Sequence, residues 1–124
     1  MTEICLDKDE LTIDDLVAVA RNRAPVAFSS AGEARVEKTS RLVARWVREK
    51  KVIYGVTTGF GALCNVTISA ADTRKLQENI LMSHAAGVGN PLPGEVARAV
   101  MALRVHDLFL GYSGCRMETL RYLI

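Results

Sequence analysis

Tyr54 stands at the head of Tyr54-Gly55-Val56-Thr57-Thr58-Gly59-Phe60-Gly61, a stretch with three glycines. Glycine admits positive φ and sharp chain reversal, so the stretch reads either as a plain flexible turn or as a mobile lid over a site. It is no phosphate cradle, because neither G-x-G-x-x-G nor a Walker ending in Lys-Ser/Thr is present. A tyrosine at such a junction commonly packs its ring and wets its hydroxyl. To accept a proton near neutral pH, a tyrosine needs about 4 kcal/mol of help from its surroundings. Nothing adjacent in the sequence supplies that help, so the rest of the fold would have to. His84 falls four residues after Ile80 and eight after Leu76, on an apolar helix face. A satisfied core histidine is the first expectation there. Its place just before Ala85-Ala86-Gly87-Val88-Gly89 leaves a site role open. His106, between Val105 and Asp107, has no recognisable partner, and the two histidines lack metal-ligand spacing, so no metal site is expected. Cys5, Cys64 and Cys115 are odd in number and form no C-x-x-C pair. A disulfide framework or zinc site is therefore not expected, and a reducing cytosol is the expected compartment.

Helices must carry these groups. Thr12 with Asp15 forms a capping-box variant ahead of Leu16, Val17, Val19 and Ala20, and Pro25 closes that element. A second helix is expected from Glu33 to about Lys50, on the recurrence of Val36, Leu42, Val43, Trp46 and Val47. Its basic end, Arg48-Glu49-Lys50-Lys51, suits a helix C-terminus better than nucleic acid. Val52-Ile53-Tyr54 reads as a short strand, and a strand or hairpin is expected near residues 52–67. A third helix is expected from about Ser69, with Asp72 as capping partner, to Ala86, and a fourth from Pro93 to Leu110 with Gly111 as terminator. That fourth helix is apolar on nearly every side through Val96, Val100, Met101, Leu103, Val105, Leu108, Phe109 and Leu110, the mark of a helix inside something larger. Met117, Leu120, Leu123 and Ile124 begin a further amphipathic helix that stops without a terminator. The expectation is a mainly α chain, residues 1–124 forming a single partial domain cut from a larger protein.

The 124 residues are 49% hydrophobic and 24% charged, which excludes wholesale disorder. No apolar run reaches the length of a membrane span, and the acidic Met1–Glu10 stretch does not read as a signal peptide. A net charge of +2 offers no polybasic arm, so neither nucleic acid nor membrane is an expected partner.

Tyr54-Gly55-Val56-Thr57-Thr58-Gly59-Phe60-Gly61 closely resembles the Tyr-Gly-x-x-Thr-Gly-Phe-Gly signature of the aromatic amino acid ammonia-lyases. Leu76-Gln77-Glu78-Asn79-Ile80-Leu81, Ser83-His84-Ala85-Ala86-Gly87-Val88-Gly89, Pro91-Leu92-Pro93, Leu103-Arg104 and Gly111-Tyr112-Ser113-Gly114 with Arg116 are similar to the segments that follow it. The likeness runs from about residue 11 to the end, and it implies the amino-terminal part of that helical fold. It also implies that Tyr54 removes the β-proton of an amino acid substrate. Gly55, Thr58, Gly59, Phe60 and Gly61 would form the lid, with Ser83 and His84 meeting the side chain of the substrate. The Ser83-His84 pair points to the histidine-selective branch, where L-histidine yields trans-urocanate and ammonia. Tyrosine-selective relatives typically carry His-Leu at this place and phenylalanine-selective ones Phe-Leu. The family uses 4-methylidene-imidazol-5-one (MIO), formed from an internal Ala-Ser-Gly, and works as a homotetramer. No Ala-Ser-Gly occurs in residues 1–124. Expectation therefore favours a carbon–nitrogen lyase fragment that is inactive alone. A sibling tyrosine or phenylalanine lyase or aminomutase, and a non-catalytic helical module, stand as the alternatives.

Overall fold

A computed structural model describes residues 2–58 and 70–124, with backbone alone for 70–74. Two compact units emerge: Met1–Leu42 with Pro91–Ile124, and Val43–Asn90. The element order is β1 (Ile4–Cys5), α1 (Ile13–Ala20), β2 (Val26–Ala27), α2 (Ser30–Arg48), α3 (Ala70–His84), α4 (Gly94–Phe109) and α5 (Met117–Leu123). The mainly α expectation holds. Among the described residues, no helix is long and apolar enough to cross a membrane.

The first unit is built around α4. Ala102, Val105, Leu108 and Phe109 on one of its faces pack with Leu6, Val19, Val36, Met117 and Leu120. Phe28 lays its ring 5.0 Å from that of Phe109, tilted by 31°. Val96, Val100 and Leu103 on α4, and Leu110 at its C-cap, lie outside this core and stay exposed. The capping box of α1 forms as its sequence implies. The Asp15 amide donates to Thr12 Oγ1 at 3.2 Å and the Thr12 amide donates to Asp15 Oδ2 at 2.9 Å. Lys8 adds an ion pair to the same carboxylate. Together, the hydrogen bonds from Lys8 and Thr12 hold Asp15 at about 2, below its ordinary value of 3.8.

β1 and β2 form a parallel pair, with Ile4 opposite Val26 and Cys5 opposite Ala27. Just beyond β1, the carboxylate of Asp7 is buried in a knot of donors. Ser29 donates from its amide at 2.7 Å and from its hydroxyl at 2.5 Å, and the Cys5 thiol donates at 3.0 Å. Arg35 donates to the Asp7 carbonyl at 2.8 Å and to the Phe109 carbonyl at 3.2 Å, tying β1, α2 and α4 together. Burial pushes the Asp7 carboxyl upward, but the hydrogen bonds from Cys5 and Ser29 and the Arg35 charge outweigh it and hold it below the ordinary value. The hydrogen bond to Asp7, reinforced by burial, raises the Cys5 thiol. Gly32 is required here by size: a Cβ would stand 2.4 Å from Asp7 Oδ2. His106, without a partner in the sequence reading, bonds through Nδ1 to the Leu6 carbonyl at 2.8 Å.

The second unit contains the end of α2, a turn, and α3. α2 ends as a Schellman motif, with Lys50 at φ 53° where glycine is usual. The Lys51 amide donates to the Trp46 carbonyl at 3.0 Å and the Lys50 amide to the Val47 carbonyl at 3.2 Å. Of the strand or hairpin expected near 52–67, residues 52–57 form a turn and Thr58 takes part in a single β-bridge. The Ile53 carbonyl accepts from the amides of Val56 and Thr57 at 3.1 and 3.0 Å, which closes the turn over 53–57. The β-branched residues Val52 and Ile53 favour extension, but a glycine at φ 70° directly after Tyr54 turns the chain first. Residues 59–67 of that expectation, Ser69 as cap and the side chain of Asp72 lie outside the described residues. α3 ends at His84, two residues short of the expected Ala86.

Candidate active site

Tyr54 is at the corner of that turn, its side chain largely in solvent (66% exposed). Gly55 follows in the left-handed region, the conformation a type II turn needs at its second central residue. Thr57 fastens the turn from within. Its Oγ1 accepts from the Ile53 amide at 2.9 Å and donates to the Lys51 carbonyl. Thr58, expected in a lid, is buried (5% exposed). Gly59, Phe60 and Gly61, the remaining expected lid residues, lie outside the described residues.

Ser83 and His84 close α3. Ser83 Oγ donates to the Ile80 carbonyl at 3.0 Å, and His84 Nδ1 lies 3.0 Å from the same oxygen and 2.9 Å from Ser83 Oγ. A carbonyl only accepts, so the contact to Ile80 is a hydrogen bond in the tautomer that carries its proton on Nδ1. In the neutral ring of that tautomer, Nε2 is an acceptor for an N–H brought by a ligand. The core-histidine expectation fails, since His84 is exposed, as are its neighbours Leu81 and Met82. Helical spacing pairs His84 with Ile80 and Leu76, but both of those are only half-buried and the end of α3 is in solvent. Tyr54, Ser83 and His84 all belong to the unit Val43–Asn90.

Thr57 occupies one of the variable places of the motif, and the motif gives it no role. Threonine two residues after a Tyr-Gly turn is a recognisable signal, because its short hydroxyl reaches nearby backbone groups.

Residues 11–124 match the sequence profile described as aromatic amino acid lyase. A histidine ammonia-lyase from Streptococcus gordonii is 48% identical over 121 residues, covering 98% of this chain and 24% of that protein. The chain thus spans about a quarter of the length of the curated relatives it matches. Its fold is similar to a crystal structure of ergothionase, an ergothioneine-degrading enzyme from Treponema denticola, with TM-score 0.91 and 28% identity. That likeness covers 98% of this chain and 24% of the other. It is also similar to histidine ammonia-lyase from Trypanosoma cruzi, with TM-score 0.87 and 34% identity over 98% of this chain and 23% of that one. Sequence, motif order and fold agree along nearly the whole chain, and on that footing the protein belongs to the aromatic amino acid lyase family.

Proposed function

We propose that this chain is the amino-terminal portion of a histidine ammonia-lyase, which takes L-histidine to trans-urocanate and ammonia. The observation that carries the reading is His84, exposed at the end of α3 with Nδ1 beside Ile80 and Ser83 and Nε2 turned to neither. An imidazole N–H of bound histidine is the matching donor. Ser83 keeps the ring and its tautomer in place, and leucine at position 84 would offer neither acceptor nor donor. Tyr54 takes the β-proton of the substrate, and Gly55, Thr58, Gly59, Phe60 and Gly61 close the site against water. The substrate reading draws further support from the 48% identity to the S. gordonii enzyme.

Residues 1–124 do not fit the role of MIO source. The nearest combination, Ser30-Ala31-Gly32, has the wrong order and is wound into the first turn of α2, with the Gly32 amide donating to Ser29 Oγ at 3.1 Å. This chain's contribution is therefore substrate recognition and proton handling. By itself it is expected not to deaminate histidine. A homotetramer belongs to the same reading, with Val96, Val100 and Leu103 of α4 and Leu110 at its C-cap covered in the assembled enzyme. So does a cytoplasmic setting that keeps Cys5 and Cys115 as thiols.

Urocanate absorbance provides the test. The chain alone, incubated with L-histidine, is expected to give none. Placed at the matching quarter of the S. gordonii enzyme, it is expected to support urocanate formation from histidine and to leave tyrosine, phenylalanine and ergothioneine unchanged. A preference for tyrosine or phenylalanine in that panel would move the chain to the sibling lyases. His84→Leu is expected to raise KM for histidine, and an unaltered substrate preference in that variant would remove His84 from the reading.

A further inference from the structure

We infer that Thr57 is a positioning residue for Tyr54: its hydroxyl fastens the turn from Lys51 to Thr57 and thereby sets the direction in which the Tyr54 ring leaves the backbone. The inference rests on the reading of Tyr54 as the proton acceptor. Its physical basis is the way the turn is closed. Ile53, the residue before Tyr54, has both of its backbone groups held by the residues after it. Its amide donates to Thr57 Oγ1 at 2.9 Å, and its carbonyl accepts from the Val56 and Thr57 amides at 3.1 and 3.0 Å. The same hydroxyl then donates to the Lys51 carbonyl, so one oxygen joins the entry of the turn to its exit. Inside this loop of bonds, Gly55 at φ 70° takes up the reversal, and the backbone is tied on both sides of Tyr54.

Tyr54 cannot borrow this rigidity from a surrounding core, because its side chain is 66% exposed. For a group so little packed, the closure of the backbone beside it contributes to its placement. Catalysis is sensitive to such placement, since a displacement of about 1 Å can cost about 10²-fold in rate. Valine keeps the β-branched shape of threonine but can neither accept from Ile53 nor donate to Lys51. Those backbone groups then turn to water, and the turn loosens without burying an unsatisfied group. Serine keeps the hydroxyl and restores both bonds.

The test pairs Thr57→Val with Thr57→Ser. In this chain, the Ile53 amide is expected to exchange with solvent at least about tenfold faster in Thr57→Val, and at close to the parent rate in Thr57→Ser. In the lyase assembled around the chain, Thr57→Val is expected to lower kcat about 10- to 100-fold with KM little changed, with most of the loss recovered in Thr57→Ser. Unaltered exchange at Ile53 in Thr57→Val, or equal kcat for the valine and serine variants, overturns the inference. Tyr54→Phe separates it from the reading beneath it. Full turnover in Tyr54→Phe overturns the proton-acceptor role and the catalytic part of the inference with it. An inactive Tyr54→Phe beside a Thr57→Val of parental kcat overturns the inference alone.

Discussion

All the buried apolar side chains among the described residues belong to the unit Met1–Leu42 with Pro91–Ile124, while Tyr54, Ser83 and His84 belong to Val43–Asn90 and lie exposed. In the first unit, side chains are held by burial and by the Asp7 knot, and removing any of them disturbs many neighbours. In the second, candidate chemical groups are held by short-range backbone bonds, one at a turn and one at a helix end. Regions with few buried contacts open at lower free-energy cost than a core. Side chains that must meet a substrate are accessible only where the chain does not bury them. The two units thus divide the labour of staying folded and of carrying chemistry, and substitutions in each should read out differently.

The largest contrast is expected at Tyr54. In the assembled lyase, Tyr54→Phe should lower kcat by about 10²–10⁴, measured by urocanate absorbance, with an unchanged thermal midpoint. A matching fall in midpoint would break the division, because it would give Tyr54 a structural share. Phe109→Ala tests the other side. Phe109 is fully buried, so the truncation should cost this chain about 3–5 kcal/mol in denaturant unfolding.

An intermediate effect is expected at the Asp7 knot. Gly32→Ala must push aside a carboxylate already fixed by Ser29 and Cys5, and a loss of about 2 kcal/mol should follow. The same knot makes the first unit sensitive to acid. Asp7 and Asp15 both have folded-state values below the ordinary 3.8, so each contributes stability above that pH and loses it as pH falls through the folded value. For Asp15 the loss spans about 4 down to about 2. Denaturant midpoints measured from pH 7 to pH 2 should fall below pH 4, and Asp7→Asn should flatten part of that fall. An unchanged acid limb in Asp7→Asn would remove Asp7 from the account.

Much of this was legible in the residues. Thr12 with Asp15 announced α1, Gly111 stopped α4 one residue after its cap at Leu110, and Met117, Leu120 and Leu123 marked α5. These signals are local, and each acts through one or two hydrogen bonds or a single φ angle. What stayed hidden depends on contacts far apart in the chain. β1 and β2 are two residues each, too short for any alternation to show, and they exist because Leu6 and Asp7 are anchored from α2 and α4. Of the candidate site, the residue types were readable, but the environment of His84 was not. Helical spacing specifies which residues share a face and leaves open whether anything covers that face.

The smallest effect sharpens the comparison best, because a left-handed residue that is not glycine follows a helix in both units. α1 and α2 each close with a non-glycine residue in the left-handed region, Arg23 and Lys50, both at φ 53°. A longer bond spans each end, the Ala24 amide to the Ala18 carbonyl six residues back at 3.0 Å, and the Lys51 amide to the Trp46 carbonyl five residues back at 3.0 Å. Glycine in such a place relieves about 1–2 kcal/mol of steric cost. Against this, the unfolded chain gains freedom worth about 0.4–1 kcal/mol, leaving a stabilisation of about 0.5–1 kcal/mol. Arg23→Gly should show that gain in global unfolding, since α1 contributes Val19 and Leu16 to the packed core. Lys50→Gly should slow local amide exchange at Lys51 and leave the global midpoint of the first unit where it was. Equal gains in global unfolding for both variants would mean that the two units melt as one, and the division drawn from their burial would not extend to their energetics.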